Sequence, residues 1–287
     1  MRDTEGPELD EVTLITTGSV AEVVLDRPEL LNPISARPGG TRDQIVWCLE
    51  QAETDPQVGA VLLRGAGRSF SSGGDLTGNA MRETPYEHAQ FVEAAERFYD
   101  RVRALSLPLV AAVHGYCLGA AIGLVSCCDI VIASQNARFG IPESRLGLVG
   151  GVPLMSMVGR QWAKFLLLTG ELIDAQQAQQ IGLVLTVEAD DALVERARDL
   201  CSRLARLPRE AVALNKRALD TFADASGEAS GRRAAAAADS LTLSHSPHAK
   251  APDGRSFAEI RVSEGLDGIK AARSAQYDTP WLAKTGH

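Results

Sequence analysis

The chain has 287 residues, of which 45% are hydrophobic and 23% charged, as is ordinary for a folded α/β protein. Its formal charge of −8 and pI of about 5.2 argue against nucleic acid or an anionic membrane as the main partner. The five cysteines form no Cys-x-x-Cys pair and leave one over, which predicts reduced thiols rather than a disulfide framework. The polar N-terminus has no apolar stretch of signal-peptide length, so we expect a cytoplasmic protein.

The first part of the chain alternates strands, loops and helices. Alternating apolar and polar residues over 12–25 surround a Thr-Gly-Ser turn and predict a β-hairpin. Helical spacing over 41–54 predicts a helix, which leads into a buried strand at 58–63. Residues 86–105 carry apolar side chains on one helical face, and the β-branched run at 109–113 predicts the next strand. This order indicates an α/β fold.

After residue 151 the pattern becomes mainly helical. From residue 223 the composition shifts towards alanine, glycine, serine and arginine. The predicted elements are helices at 161–169, 174–181, 190–205, 208–222, 234–243 and 257–274, a strand at 182–187 and a mobile loop at 244–255. We therefore divide the chain into a core of residues 1–205 and a C-terminal helical region of residues 206–287.

Two glycine-rich turns follow the strands predicted at 58–63 and 109–113. The first contains Gly73 and Gly74, and the second leads through Gly119 and Ala120 into a helix. Free backbone N–H groups at such a helix start suit an anion or a developing oxyanion. Neither turn has the Gly-Lys-Ser/Thr of a phosphate loop or the dinucleotide glycine spacing, so nucleotide binding is not expected. The turns follow neighbouring strands and are placed to face each other.

Other functions suggested by single residues have weaker support. Residues 107–133 are apolar enough for a membrane span to be considered, but Pro108, His114 and Asp129 interrupt the stretch. A hydrolase triad of Ser126, His114 and Asp129 lacks the Gly-x-Ser-x-Gly elbow. We expect Ser126 to pack in the core. His114 is expected in the core or at the edge of a pocket, with assistance to substrate binding as its alternative.

Cysteine and histidine patterns also give no clear site. Cys117 has no adjacent base in the sequence that would activate it as a nucleophile. His245 and His248 have the spacing of a weak metal-binding pair, but no further ligands lie near them in the sequence. No metal site is expected.

A series of short motifs runs through nearly the whole chain in a defined order. They are Leu25-Asp-Arg-Pro-x-x-Leu-Asn32, Phe70-Ser-Ser-Gly-Gly-Asp-Leu76, Gly115-Tyr-Cys-Leu-Gly-Ala120, Cys128-Asp-Ile130, Phe139-Gly-Ile-Pro-Glu143, Leu168-Thr-Gly170, Ile181-Gly-Leu-Val184 and Ser263-Glu-Gly265. Together they resemble the enoyl-CoA hydratase/isomerase family, or crotonase superfamily. The resemblance implies a spiral of β-β-α repeats, a C-terminal α-helical region used for trimer contacts, and a homotrimer or dimer of trimers.

The resemblance also implies a site for an acyl-CoA thioester. The backbone N–H groups of Gly74 and Ala120 would form an oxyanion hole, and Glu143 would be the catalytic acid/base. Coenzyme A would arrive as part of the substrate, with no separate cofactor. The positions implied for CoA binding are Arg27, Leu31, Gly73, Asp75 and Leu76. Asp75 is also expected to tie down its loop or cap the following helix.

One departure from the family pattern concerns the reaction. The second catalytic glutamate of the family's hydratases falls on Gly123 in this sequence. Hydration is best served by two carboxylates, whereas a double-bond shift needs one base that carries a proton between two carbons. The single Glu143 therefore favours isomerisation over hydration. The alternative is an acyl-CoA-binding homologue with weak or lost catalysis that acts in binding or assembly.

A second departure concerns the acyl pocket. The glycine-rich segment that follows the glutamate in the family is replaced here by residues 148–158. Met155 and Met157 either line the acyl pocket or pack in the core, and their spacing favours the core. The family's terminal basic pair is only partly kept, since Ala272 and Arg273 occupy it.

Overall fold

Two β-sheets carry the elements that surround the predicted site. The computed structural model describes residues 6–76, 84–149, 154–245, 248–275 and 280–282. Within these residues the strands are β1 (Val12–Thr17), β2 (Val20–Leu25), β3 (Ala60–Gly65), β4 (Leu109–Val113), β5 (Tyr116–Leu118), β6 (Ile130–Ser134), β7 (Arg138–Gly140), β8 (Leu172–Asp174) and β9 (Thr186–Glu188). The larger sheet has the order β1-β2-β3-β4-β6-β9, and β5, β7 and β8 form the smaller one.

Helices connect and cover these strands. In the part of the chain that the structure describes they are α1 (Thr41–Thr54), α2 (Pro85–Arg103), α3 (Ala120–Val125), α4 (Leu154–Thr169), α5 (Ala175–Gln180), α6 (Leu193–Leu204), α7 (Arg209–Ala225), α8 (Glu228–His245) and α9 (Phe257–Ser274). The helices predicted at 41–54 and 257–274 are confirmed with the same bounds, and the α/β class is confirmed.

The first two strands form the predicted hairpin. They pair antiparallel from Val12 opposite Leu25 to Thr17 opposite Val20. Gly18 makes the turn at a φ of +60°, which costs a glycine little because it has no Cβ. The other neighbouring strands of the larger sheet are parallel.

Apolar layers cover both faces of the larger sheet. On one face Val23, Leu63 and Ala111 belong to a core that includes α1 and α2. On the other face Leu62 and Val110 pack against α6. This two-sided burial explains why β3 and β4 read as continuous apolar runs rather than as alternating patterns.

Helix α1 begins on a buried carboxylate. Its N-cap, Gly40, has no side chain to cap the helix. Instead Glu11, which precedes β1 and is 5% exposed, accepts a 2.7 Å hydrogen bond from the Thr41 N–H. A negative charge at a helix N-terminus is stabilised by the helix dipole, so this contact fixes α1 against the hairpin.

The strand predicted at 182–187 is shorter than expected. Gly182 has a φ of +86°, and the N–H groups of Leu183 and Val184 both donate to the carbonyl of Ala178. This turn satisfies the last carbonyls of α5, so the first half of the predicted strand ends a helix instead. Only Thr186–Glu188 pairs with β6.

Helices α4 and α8 are longer than the sequence predicts. α4 starts at Leu154 rather than at 161, with a break at Gly159, whose φ is +74°. α8 extends to His245, and the predicted loop at 244–255 contains a β-bridge between Lys250 and Ser256.

The C-terminal helices pack onto the core through α8, which lies against α2. The division of the chain at residues 205 and 206 remains a prediction. Among the described helices, none combines the length and hydropathy that a membrane crossing needs.

Candidate functional site

The smaller sheet brings the predicted site residues to one edge. Residue Ser71 forms a parallel bridge with Cys117 of β5, and β5 is parallel to β7. The carboxyl ends of parallel strands lie at the same edge of a sheet. Gly74 follows the first segment, Ala120 follows β5 and Glu143 follows β7, so the fold brings these three residues together.

The turn around Gly74 is held on both sides by backbone hydrogen bonds. The N–H of Ile34 donates to the Gly73 carbonyl at 2.7 Å, and the N–H of Asp75 donates to the Ile34 carbonyl at 3.0 Å. On the other side, the N–H of Leu118 donates to the Ser71 carbonyl at 3.2 Å. The turn is therefore paired almost like a strand.

Gly73 and Gly74 lie directly against Ala120. Gly73 has a φ of +95°, and a Cβ there would lie 2.5 Å from the Leu118 carbonyl oxygen and 3.5 Å from the Ala120 nitrogen. A Cβ on Gly74 would lie 4.0 Å from that of Ala120. Close approach of the two turns thus requires glycine at position 73.

The amide groups of Gly74 and Ala120 are free to bind a ligand. Ala120 is the first residue of α3, where the N–H has no partner within the helix. Among the described residues, neither amide donates to a carbonyl or a side chain. Two adjacent unpaired donors suit an oxyanion that develops during a reaction.

These residues line a cavity of about 230 Å³. Its wall combines both turns, the Pro142–Leu146 turn, α2, α8 and one residue of α9. Lining side chains and backbone come from Ile34, Arg42, Gly74, Phe91, Glu96, Tyr99, Ala120, Gly123, Glu143, Leu148, Val149, Asp239 and Arg273, among others. The cavity mixes apolar walls with a few ionisable groups, as small-molecule sites generally do.

Glu143 has its carboxyl group buried in this cavity. The residue lies in the 3-10 turn Pro142–Leu146, directly after β7. Its Oε2 atom is buried and has no hydrogen-bond partner in the described part of the chain. A Cβ on Gly119 would overlap Oε1, so the carboxyl group lies next to the peptide that leads into Ala120. Burial raises the pKa of Glu143 to about 7.

Two charged groups of the cavity act on Glu143 in opposite directions. Arg273 of α9 lowers the pKa of Glu143, whereas Asp239 of α8 raises it. Burial, and after it the nearby Glu96, raises the pKa of Asp239 itself to about 6. Besides Asp75 and Glu143, the cavity is thus lined by two carboxyl groups that the sequence motifs did not reveal, those of Glu96 and Asp239.

The position of the missing second glutamate is occupied by a tyrosine. A Cβ on Gly123 would lie 2.8 Å from both Cζ and the hydroxyl oxygen of Tyr99. That hydroxyl donates a 3.2 Å hydrogen bond to the Ala120 carbonyl, and burial raises the pKa of Tyr99. A neutral phenol that supports α3 therefore fills the space where a carboxylate would have to fit.

The residues implied for CoA binding divide into two groups. Gly73, Asp75 and Leu76 line the cavity, whereas Arg27 and Leu31 do not. The Arg27 guanidinium donates to Asp75 at 2.9 Å, which agrees with the expectation that Asp75 ties down its loop. Leu31 has a φ of +63° and accepts from the Ser72 N–H through its carbonyl. None of these contacts tests CoA binding.

The other candidate residues do not assemble into sites. The Ser126 hydroxyl donates to the Ile122 carbonyl, and Asp129 accepts from Leu109 N–H and Lys216, so no triad forms with His114. Cys117 is fully buried, which raises the pKa of its thiol and leaves it unreactive.

The methionines and paired histidines likewise lie outside the cavity. Met155 is 63% exposed and Met157 packs on the core, so neither lines the acyl pocket. Leu148 and Val149 take part in that wall, and residues 150–153 of the altered segment are outside the described residues. The rings of His245 and His248 are 6.1 Å apart, and the described residues hold no group of three or more metal-ligating side chains.

Nothing in the sequence indicated that Arg42, Tyr99 and Asp239 belong to the cavity. Arg42 occupies the first turn of α1, Tyr99 lies near the C-terminal end of α2 and Asp239 lies in α8. Each sits on an ordinary helical segment, and only the packing of helices from distant parts of the chain brings them to the site. The absence of a side chain at Gly123 was the one available hint that another residue fills the space.

The chain is similar to known proteins in both sequence and fold. The sequence profile described as enoyl-CoA hydratase/isomerase matches residues 16–261. The chain is 37% identical over 215 residues to a 2,3-dehydroadipyl-CoA hydratase of Escherichia coli, which covers 74% of this chain and 82% of the relative. It is 36% identical over 219 residues to a short-chain-enoyl-CoA hydratase of Clostridium acetobutylicum, with the same shares covered.

Solved structures show the same likeness over a longer part of the chain. An enoyl-CoA hydratase from Mycobacterium smegmatis superposes with a TM-score of 0.82 at 26% identity, covering 93% of this chain and 94% of that one. An enoyl-CoA hydratase/isomerase from Xanthobacter autotrophicus Py2 gives a TM-score of 0.79 at 29% identity, covering 94% and 99%. With the profile matching most of its length, the chain belongs to the enoyl-CoA hydratase/isomerase family, the crotonase superfamily.

Proposed function

We propose that this enzyme moves the double bond of an enoyl-CoA thioester, with isomerisation favoured over hydration. The observation that carries the proposal is the buried carboxyl group of Glu143, whose Oε2 atom has no hydrogen-bond partner among the described residues, next to the amides of Gly74 and Ala120, which are unpaired among the same residues. A thioester carbonyl bound by the two amides becomes more acidic at its α-carbon. Removal of that proton leaves a dienolate whose negative oxygen the amides stabilise.

One carboxyl group is sufficient for the proton transfers of this reaction. Glu143 takes the proton from the α-carbon of a 3-enoyl thioester and returns it to the γ-carbon, so the double bond moves and no proton is gained or lost. A pKa of about 7 suits both steps at neutral pH, because base and acid forms are then both accessible.

Hydration is disfavoured because the second carboxylate position is filled. Water addition uses one group to activate water and another to deliver the α-proton. Tyr99 occupies the space beside Gly123 and has a raised pKa, so it is a poor base. The relatives above are named as hydratases, and the proposed difference in reaction rests on this position.

The proposal is tested by the variant Glu143→Gln together with a substrate screen. The amide keeps the shape of the side chain but cannot accept the proton, so turnover should be lost while thioester binding survives. Short and long 2-enoyl-CoA and 3-enoyl-CoA thioesters are followed by absorbance, and 3-enoyl substrates should react faster. Full activity of Glu143→Gln contradicts the mechanism. If no thioester is turned over by the unaltered chain although thioesters bind, the alternative of a binding or assembly protein holds.

We further propose that the C-terminal helices form the contacts of a homotrimer or dimer of trimers in the cytoplasm. Large apolar side chains on α7, α8 and α9 are at least 62% exposed, namely Leu214, Leu219, Phe222, Leu241 and Val262. Exposed apolar side chains at this density commonly mark protein interfaces. Five free cysteines are consistent with a reducing compartment. Light scattering after size-exclusion chromatography gives the mass of the assembly, and a monomer would contradict the proposal.

A further inference from the structure

Arg42 is a cation of the cavity wall that has no ion-pair partner among the described residues. Arg42 projects from the first turn of α1, and its Nε atom is buried without a hydrogen-bond partner among the described residues. Over the same residues, no carboxylate lies within ion-pair distance of its guanidinium. Burial accordingly lowers the pKa of Arg42. Burying a cation without a counter-ion costs free energy. The position of Arg42 therefore suggests that a ligand supplies the negative charge.

Two of the other arginines on the cavity wall, Arg103 and Arg232, differ from Arg42. Arg103 pairs with Asp100 at 3.0 Å and with Glu228 at 3.6 Å. Arg232 pairs with Glu228 at 3.0 Å and also with Asp224. These charges are balanced within the protein. Arg273, like Arg42, has no ion pair among the described residues, and burial lowers its pKa, although the nearby carboxylate of Glu143 favours its charged form.

Arg42 is nevertheless held in a defined position. Its guanidinium carbon lies 5.4 Å from the ring centroid of Phe91 and 5.8 Å from that of Phe98. Aromatic faces attract a cation and fix its plane, but they do not supply the acceptor oxygens that its N–H groups need. The guanidinium is therefore oriented and still lacks hydrogen-bond acceptors.

Tyr99 connects this cation to the proposed reaction centre. Its hydroxyl donates to the Ala120 carbonyl, and its ring stands within electrostatic reach of Arg42. Arg42, Phe91 and Ala120 line one continuous cavity. A ligand held by the Ala120 amide can thus extend past Tyr99 towards Arg42.

We infer that Arg42 binds a carboxylate at the far end of the acyl chain, so that the substrate is the CoA monothioester of an unsaturated dicarboxylic acid. The inference rests on the proposed acyl-CoA function of this site. A carboxylate accepts two parallel hydrogen bonds from a guanidinium and neutralises it, which matches what Arg42 lacks. An acyl chain that ends in a methyl group would leave the cation unpaired.

The acidic groups of the cavity do not prevent this binding. Glu96 faces Arg103 and Arg232, whose charges offset it, and burial raises the pKa of Glu96. Asp239 lies near Glu143 and likewise has a raised pKa. Both groups therefore oppose an incoming carboxylate less than fully ionised side chains would.

The test compares two 3-enoyl-CoA thioesters of equal chain length, one ending in a carboxylate and the other in a methyl group. The unaltered enzyme should favour the carboxylate-ended chain in kcat/KM. Arg42→Met should reduce the ratio of the two kcat/KM values by about 30-fold or more, as expected for loss of one partner of a buried charge pair. Arg42→Lys keeps the charge but not the planar fork, so it should give an intermediate ratio.

A matched control and a binding measurement complete the test. Arg97→Met removes an arginine that is 69% exposed on α2, and it should leave the ratio as in the unaltered enzyme. Dissociation constants measured in the Glu143→Gln background should show the same preference without turnover. Arg42→Met should also not lower the unfolding temperature of the ligand-free protein, because it removes an unpaired buried charge.

Three results would overturn the inference. If both thioesters react equally well in the unaltered enzyme, the substrate needs no carboxylate at the far end of its acyl chain. The proposed function would still stand. If Arg42→Met slows both thioesters by the same factor, Arg42 acts on the CoA portion or on the fold. If neither thioester binds or reacts, the proposed function fails as well.

Discussion

Glu143 should make the stability of the protein depend on pH in a way that a single substitution removes. The carboxyl group has an ordinary pKa of 4.5 when the chain is unfolded and of about 7 when it is buried in the cavity. The folded state therefore binds this proton more tightly. The contribution of Glu143 to stability is fully present below pH 4.5 and is lost as the pH rises through 7.

The expected size of this effect follows from the two pKa values. The interval from 4.5 to about 7, at about 1.36 kcal/mol per pH unit, amounts to about 3 kcal/mol at a pH above both values. Glu143→Gln has no titrating group at this position. Relative to the unaltered protein, the variant should therefore gain about 3 kcal/mol in the free energy of unfolding between pH 4.5 and pH 8.

Urea unfolding followed by the fluorescence of the three tryptophans measures this difference at a series of pH values and a fixed protein concentration. The control is Glu8→Gln, which removes an exposed carboxyl group outside the cavity and shows what the loss of a surface charge alone does to stability. A constant difference between Glu143→Gln and the unaltered protein across this range would show that the carboxyl group is not desolvated, and the burial argument would be wrong.

Three further substitutions probe the neighbours of Glu143. Gly119→Ala should lower kcat by about 10²-fold, because its Cβ overlaps Oε1 of Glu143 and a small misplacement of a catalytic group is costly. Gly123→Glu alone should destabilise the protein by about 1 to 3 kcal/mol through overpacking against Tyr99, and it should not raise the hydration rate. Asp239→Asn removes a charge that raises the pKa of Glu143, so the acidic limb of the pH profile of kcat/KM should move to lower pH.

Each of these results has a specific control or contrary outcome. Gly18→Ala places a Cβ at a similar φ of +60° in open space, so it should cost stability without changing kcat. A faster hydration of 2-enoyl thioesters by Gly123→Glu would show that Tyr99 yields the space easily. An unchanged pH profile of Asp239→Asn would mean that solvent screens this carboxylate from Glu143.

The parts of the site that follow strands could be predicted from the sequence. The two glycine-rich turns follow the apolar runs at 58–63 and 109–113, and glycine is required by close approach and by positive φ values at Gly73 and Gly119. Glu143 was placed through a motif that ends in Pro-Glu. These features are local, so a short stretch of sequence contains the information.

The remaining parts depend on contacts between distant segments. Strands β5, β7 and β8 have three residues each, which is too short for an alternating pattern to be recognised. The location of Tyr99 beside Gly123 depends on how α2 crosses α3, and that of Arg42 depends on how α1 meets α2. Such arrangements are fixed by packing of the whole fold and leave no mark in local composition.

The smaller sheet also fixes one side of the cavity more tightly than the other. Ser71 and Cys117 are paired in a parallel bridge, and Gly74 lies three residues after Ser71 as Ala120 lies three residues after Cys117. Equal lengths of chain therefore lead from this bridge to the two amides. Their separation is thereby tied to the spacing of neighbouring strands, about 4.8 Å in any sheet. Helices α1, α2 and α8 form another part of the cavity wall, and their positions are not tied to the spacing of strands. Under the proposed function, substitutions on these helices can change which acyl group is accepted while the separation of the two amides stays the same.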